Sequence, residues 1–357
     1  MGKKIFLVVL CLATVLDLHL ANAEVPAVFI LGDSTADTGT NNFLPDSKDR
    51  ADFPPYGIDF PHSRPTGRFS NGLNSADFLA KLMGFKRSPL PFFYLVNNTK
   101  FIKRPSFRGA NFASAGSGIL NITGQTKNGL KNVVPLEEQI GQFSSIYSEL
   151  VAIKGQASAE VFLSKSLFFI SVGSNDIFAY YLSRSTVPKQ EFIATLGFIY
   201  DSYLRTLYKL GARKFGIISV PPIGCCPALR IQNTTGGCLE DLNNLALEFH
   251  SMINTQLIKL STDYSDMKYS LGNAYEMTIN VLDNPCPFGF KNVSNPCCGD
   301  ERTPCGPNAT FCSNRREYLF WDSVHPTQAA AGLAARTLYG GELRFVSPIN
   351  FKQLADA

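Results

Sequence analysis

The chain alternates short apolar runs with longer stretches in which apolar residues return every three or four positions. The short runs Ala27–Leu31, Gly109–Ala113, Leu167–Val172, Lys214–Val220 and Met267–Leu271 read as buried strands. Between them, Leu136, Ile140, Phe143, Tyr147 and Leu150 share one helix face. A second helix shows in Phe192, Leu196, Ile199, Leu204 and Leu207, with Gly211 as its stop. Leu242, Leu245, Phe249, Ile253 and Leu257 mark a third. Strands alternating with helices predict an α/β protein, a parallel sheet covered on both faces in a three-layer α/β/α sandwich. The chain has no internal repeat or low-complexity linker, so one domain is expected over residues 24–357. Cys286 to Cys312 is rich in Cys, Pro, Gly and Asn and reads as a stapled loop insertion without helix or strand period.

In open parallel sheets the active site forms where loops leave the carboxyl ends of the strands. The polar clusters sit there. Gly32-Asp33-Ser34 follows the first run, Ser114-Ala115-Gly116 the second and Gly173-Ser174-Asn175-Asp176 the third, while Asp322 and His325 follow a last apolar run, Tyr318–Trp321.

The first residues change the picture of where the protein works. Lys3 and Lys4, the apolar stretch Ile5 to Leu16 and the small residues of Ala21-Asn22-Ala23 form a secretory leader, residues 1–23, with the mature chain starting near Glu24. The apolar part is shorter than the roughly 20 residues of a spanning helix. Eight cysteines remain after the leader, an even set suited to an oxidising compartment, though their pairing is not readable from sequence. Asn97, Asn121, Asn233, Asn292 and Asn308 head N-glycosylation tripeptides, in keeping with secretion to the extracellular space. A net charge of +4, falling to +3 without the leader, with Lys and Arg scattered among acids, gives nucleic-acid binding no support.

A serine hydroxyl is a weak nucleophile until a base takes its proton, and the base needs a carboxylate to fix its tautomer. Of four histidines, His19 leaves with the leader, His62 lies among prolines and His250 sits inside a helix pattern. His325 is left, with Asp322 three residues before it. It also reads as a residue at a helix start, ahead of Pro326, and both readings can hold together. Ser34 stands where a turn can lift it above the sheet; as a helix cap it competes with Asp33 and Thr35. Gly116 and Asn175 have the chemistry of oxyanion donors, a backbone N–H without an intruding side chain and an amide. Each also reads as a turn residue, and Gly118 rivals Gly116.

Phe29-Ile30-Leu31-Gly32-Asp33-Ser34-Thr35-Ala36-Asp37-Thr38-Gly39 resembles the first block of the plant branch of the GDSL esterase/lipase family, the SGNH hydrolases. Gly67–Gly72, Gly109–Gly116, Val172–Asp176 and Asp322–Pro326 resemble further blocks in the family's order, so the resemblance runs from about Ala27 to Tyr339. It implies a flavodoxin-like fold and ester hydrolysis without a cofactor. Ser34 would be the nucleophile, His325 the base, Asp322 its orienter, and the Ser34 N–H, Gly116 and Asn175 the oxyanion donors. Thr35 departs from the family's Leu, which leaves the triad intact and bears on pocket polarity.

The implied partner is a small-molecule, lipid or cell-wall ester; oligomeric state is open. Two rivals keep the same residues, an extracellular acyltransferase and a non-catalytic wall or glycan-binding protein, the second disfavoured by the intact set. Gly67–Gly72 lacks the Gly-Lys-Ser/Thr of a phosphate loop and reads as a turn feeding a helix from Ser75. Cys297, Cys298, Cys305 and Cys312 fit paired zinc motifs poorly, so disulfides and no metal are expected. Leu90 to Leu95, with Phe101 and Phe107, reads as core packing ahead of an acyl site.

Overall fold

A computed structural model describes residues 25–98, 101–126 and 132–357; the leader expected at 1–23, with His19, lies outside the described residues. The main sheet contains β1 (Val28–Gly32), β2 (Leu167–Ser171), β3 (Lys214–Ile218), β4 (Lys268–Gly272) and β7 (Val346–Ser347), hydrogen-bonded in that order. The first four are parallel, and β7 closes the edge antiparallel to β4. The sheet is therefore mostly rather than wholly parallel.

Gly109–Ala113 corrects one expectation. It runs beside the free edge of β1, with Ile30 N–H donating to Ala110 O at 3.0 Å and Phe112 N–H to Ile30 O at 2.8 Å. It forms only a bridge at Asn111. The reason is local: Asn111 Oδ1 accepts from Ala113 N–H at 3.0 Å and its amide donates to Ala36 O at 2.8 Å, bonds that compete with a regular ladder. With this ribbon counted, the order across the sheet is second, first, third, fourth, fifth in the chain, as in flavodoxin-like sheets. The order reverses between β1 and β2, where such folds bind ligands.

Strand alternation decides the two cores. Phe29, Leu31, Phe168, Ile170, Phe215 and Ile217 face one side. There they meet helices Leu136–Lys154, Lys189–Lys209 and Glu240–Asp263, which contain the three sequence-predicted stripes. Gly211, at φ +99°, follows the second helix as expected. Val28, Ile30, Leu167 and Phe169 face the other side, against Ser75–Leu82, Gln328–Gly340 and Phe351–Asp356. Phe92, Leu95 and Phe107 are buried in the first core, the packing role expected of that stretch, whereas Leu90 and Tyr94 are exposed and Phe93 and Phe101 only partly buried.

The stapled segment is also corrected. It contains strand β5 (Asn292–Pro296), which pairs in parallel with β6 (Tyr318–Phe320) in a separate two-stranded sheet. The run before Asp322 is thus outside the main sheet. Disulfides Cys297–Cys312 and Cys298–Cys305 close loops inside this segment, and the Cys297 and Cys298 N–H groups tie it to Phe320 O and Trp321 O, so it needs no periodic apolar face and left no pattern to read. Cys225–Cys238 is the third bridge. Cys226, buried, and Cys286, exposed, are unpaired, so the even set of eight is not fully used.

Candidate active site

The site starts where β1 ends. Gly32 takes φ +145°, and a Cβ there would lie 2.1 Å from Ser171 O on the neighbouring strand. Its N–H donates to Gln139 Oε1 at 2.8 Å and its carbonyl accepts from Gln139 Nε2 at 2.9 Å, so a buried side chain clamps the strand end. The chain then turns, with Ala36 and Asp37 N–H donating to Asp33 O. Buried Asp33 accepts from Thr35 N–H at 3.0 Å and the Thr35 hydroxyl at 2.8 Å. Asp33 thus does the local capping. The Thr35 hydroxyl, also 3.0 Å from Ser171 Oγ, is tied into the same strand-end framework.

The Ser34 hydroxyl is left for His325, whose Nε2 lies 2.7 Å from Ser34 Oγ. On the far side of the ring, Nδ1 lies 2.9 and 2.8 Å from the two carboxylate oxygens of Asp322. Asp322 Oδ1 also accepts the N–H groups of Val324 at 2.9 Å and His325 at 2.8 Å, so the Asp-x-x-His spacing closes a turn that presents the imidazole. The helix begins later than expected, at Gln328 with Thr327 as its cap. Phe69 of the Gly67–Gly72 turn packs on the His325 ring, centroids 4.8 Å apart. That turn leads into the helix from Ser75, capped by Asn74.

Burial alone would lower the His325 pKa. The Asp322 charge and hydrogen bond outweigh it, helped by Asp33 and Asp49, and hold His325 above its usual 6.5. For Asp322, burial pushes upward, but the charge and hydrogen bond of His325 with two backbone donors bring it below the usual carboxylate range.

Gly116 and Asn175 line the same cavity as Ser34 and His325, and Gly118 does not line it. Gly116 has φ +81°, and a Cβ would sit 2.6 Å from Asp49 Oδ2, so its turn geometry and a role in the cavity are compatible. Two buried carboxylates fix this loop. Asp37 accepts from Ala115 N–H at 3.1 Å, as well as from Gly39 and Thr40. Asp176 accepts from Ile119, Leu120 and the Thr123 hydroxyl. Burial pushes both up to about 6 against these bonds. The Asn175 amide donates to Ser117 O at 2.9 Å, which engages one of its two protons and leaves the other for a ligand.

The cavity, about 570 Å³, is lined by Ser34 and His325 together with apolar side chains that include Phe169, Ile218, Val220, Met277, Val281 and Leu338. Neither His62, which is exposed, nor half-buried His250 lines it. Sequence reasoning missed Tyr56, whose hydroxyl donates to Asp322 Oδ2 at 2.9 Å across 266 residues of chain. Nothing in Pro54-Pro55-Tyr56-Gly57 signals that contact.

The family model for GDSL-like lipase/acylhydrolase matches residues 28–338, and the chain belongs to that family. One GDSL esterase/lipase of Arabidopsis thaliana is 36% identical over 348 residues, covering 93% of this chain and 90% of its own. A second is 32% identical over 373 residues, covering 100% and 99%, and GDSL esterase/lipase APG is 35% identical, covering 94% and 96%. Among solved structures, a catalytic mutant of an acetylxylan esterase from Geobacillus stearothermophilus matches 90% of this chain and 95% of its own, at 11% identity and TM-score 0.39. A GDSL-like lipase from Parabacteroides merdae covers 88% and 94% at 13% identity and TM-score 0.36. At such scores the structural likenesses add nothing to the family assignment. The protein is a carboxylic ester hydrolase with the α/β architecture of the SGNH hydrolases.

Proposed function

We propose that the protein is a secreted esterase that hydrolyses esters of aliphatic acids through an acyl-enzyme on Ser34. The observation that carries this reading is the hydrogen-bond chain from Ser34 Oγ through His325 to Asp322. Ser34 Oγ attacks the ester carbonyl while His325 Nε2 takes its proton, then returns it to the leaving alcohol. The Ser34 N–H, Gly116 N–H and the free Asn175 amide proton receive the developing oxyanion. Water, deprotonated by His325, then releases the acid. No step calls for a cofactor.

Secretion draws support from the leader pattern and from three disulfides, which persist in oxidising compartments. Among the described residues no helix is long and apolar enough to cross a membrane. Asn97 and Asn308 are exposed and suit glycosylation; Asn121 is exposed with its amide donating to Glu137, and Asn233 and Asn292 are half-buried with their side chains engaged in local turns.

The apolar cavity favours an aliphatic acyl group over acetyl. Each buried methylene is worth about 0.8 kcal/mol, so p-nitrophenyl octanoate is expected to exceed the acetate by at least about tenfold in kcat/KM. A series that peaks at acetate contradicts this substrate class. Supplying glycerol in the same assay separates hydrolysis from transfer, because a new glycerol ester among the products moves the reading to an acyltransferase.

The pH profile follows from His325, which acts as a base only when neutral. Its folded pKa is raised, so its protonated form persists to higher pH, and the acid limb of kcat/KM has its midpoint above 6.5. A midpoint at or below 6.5 contradicts the charge environment described.

A further inference from the structure

We infer that Tyr56 is a positioning residue for ester hydrolysis, a fourth member of the Ser34–His325–Asp322 chain that holds the Asp322 carboxylate in the rotation that orients the imidazole. The inference rests on the triad reading and adds the element that fixes its far end. Asp322 Oδ1 is pinned by two backbone N–H groups of its own turn, while Oδ2, among the described residues, meets His325 Nδ1 at 2.8 Å and the Tyr56 hydroxyl at 2.9 Å. Nδ1 sits almost equally far from both oxygens, at 2.9 and 2.8 Å, so it does not by itself select one rotation of the carboxylate. The two backbone donors on Oδ1 and the Tyr56 phenol on Oδ2 set the rotation together, and Tyr56 is the donor that comes from outside that turn. With Asp322 only 4% and Tyr56 6% exposed, bulk water has little access to replace the phenol as donor.

The phenol is itself held. Its ring packs edge-on against Phe53, Phe69 and Trp321, with centroids 5.4, 5.8 and 6.3 Å away. Phe69 is also the residue packed on the His325 ring. One aromatic cluster therefore fixes the imidazole face through Phe69 and the carboxylate through Tyr56. Tyr56 is absent from the cavity lining, so it acts on the reaction through Asp322 and not on the substrate. Burial and the Asp322 charge raise the phenol's pKa, which keeps it a donor at every working pH.

The test is Tyr56→Phe, which keeps the ring and removes one donor. His325 is faced by Asp322 from its own turn, by Asp33 from the Ser34 turn and by Asp49 beside Gly116. Asp322 is faced in addition by Cys226, whose thiol burial pushes up to about 12 and keeps neutral. Removing the phenol leaves more of the carboxylate's charge to His325. The acid limb of kcat is expected to move to higher pH and kcat to fall about tenfold, with KM unchanged. Replacing Tyr56 by 3-fluorotyrosine, a stronger donor of nearly the same size, moves the limb the opposite way and serves if Tyr56→Phe folds poorly. A fall in kcat with an unmoved limb in both variants, or no change in either quantity, overturns the role. Asp322→Asn in the same assay separates the two levels of the account. If it is inactive while both Tyr56 variants behave as wild type, only the Tyr56 inference fails; if it retains full activity, the triad reading fails.

Discussion

Ser34→Ala is expected to lower kcat for p-nitrophenyl octanoate by roughly 10⁶, the scale of loss when the serine of such a triad is removed. The mutation deletes the hydroxyl that lies 2.7 Å from His325 Nε2, so no acyl-enzyme forms on it. The proposed oxyanion donors at Gly116 and Asn175 remain, and with substrate binding they are expected to leave a residual rate above that in water. The loss should be in turnover and not in folding, because the local bonds of the turn are made by Asp33 and by backbone groups rather than by the Ser34 hydroxyl. Circular dichroism and thermal melting close to wild type, alongside the kinetic loss, check this partition.

Gly32→Ala is expected to be the most damaging small substitution in the same loop, through the fold rather than the chemistry. An added methyl would meet Ser171 O at 2.1 Å, a backbone atom of β2 that cannot step aside without breaking the β1–β2 ladder. The residue also sits at φ +145°, a conformation that side-chain-bearing residues rarely adopt. Backbone strain and overpacking together cost about 3–5 kcal/mol, a large share of a typical domain's stability. The measurement is the thermal midpoint of the purified variant, expected to fall by roughly 4–7 °C, or failure to obtain soluble protein. A wild-type midpoint would mean that the strand end is far more compliant than its two Gln139 bonds and close approach indicate.

Much of this was legible because each feature left a local trace. The helices Leu136–Lys154, Lys189–Lys209 and Glu240–Asp263 had apolar stripes several turns long, and β1 to β4 were apolar runs of a strand's length. The proposed reacting groups left a different trace: Ser34 and His325 each stand after a strand-like run, few histidines compete, and the fold brings the two within 2.7 Å. What escaped reading depends on contacts distant in the chain. β7 is two residues long, too short for any period. Asn111 breaks its ladder through side-chain bonds that composition cannot announce. β5 forms in a segment of Cys, Pro and Asn because β6 and two disulfides lie beside it. Tyr56 reaches Asp322 only because the fold brings the loop after β1 under the loop that carries His325.

The central claim is that Ser34 is the nucleophile, and the most direct measurement is to react the folded protein with a fluorophosphonate probe, digest it and locate the adduct by mass spectrometry. The account predicts stoichiometric phosphonylation of Ser34 that tracks loss of esterase activity and is absent from Ser34→Ala. An adduct on another residue that tracks the loss of activity, with Ser34 unmodified, would contradict it.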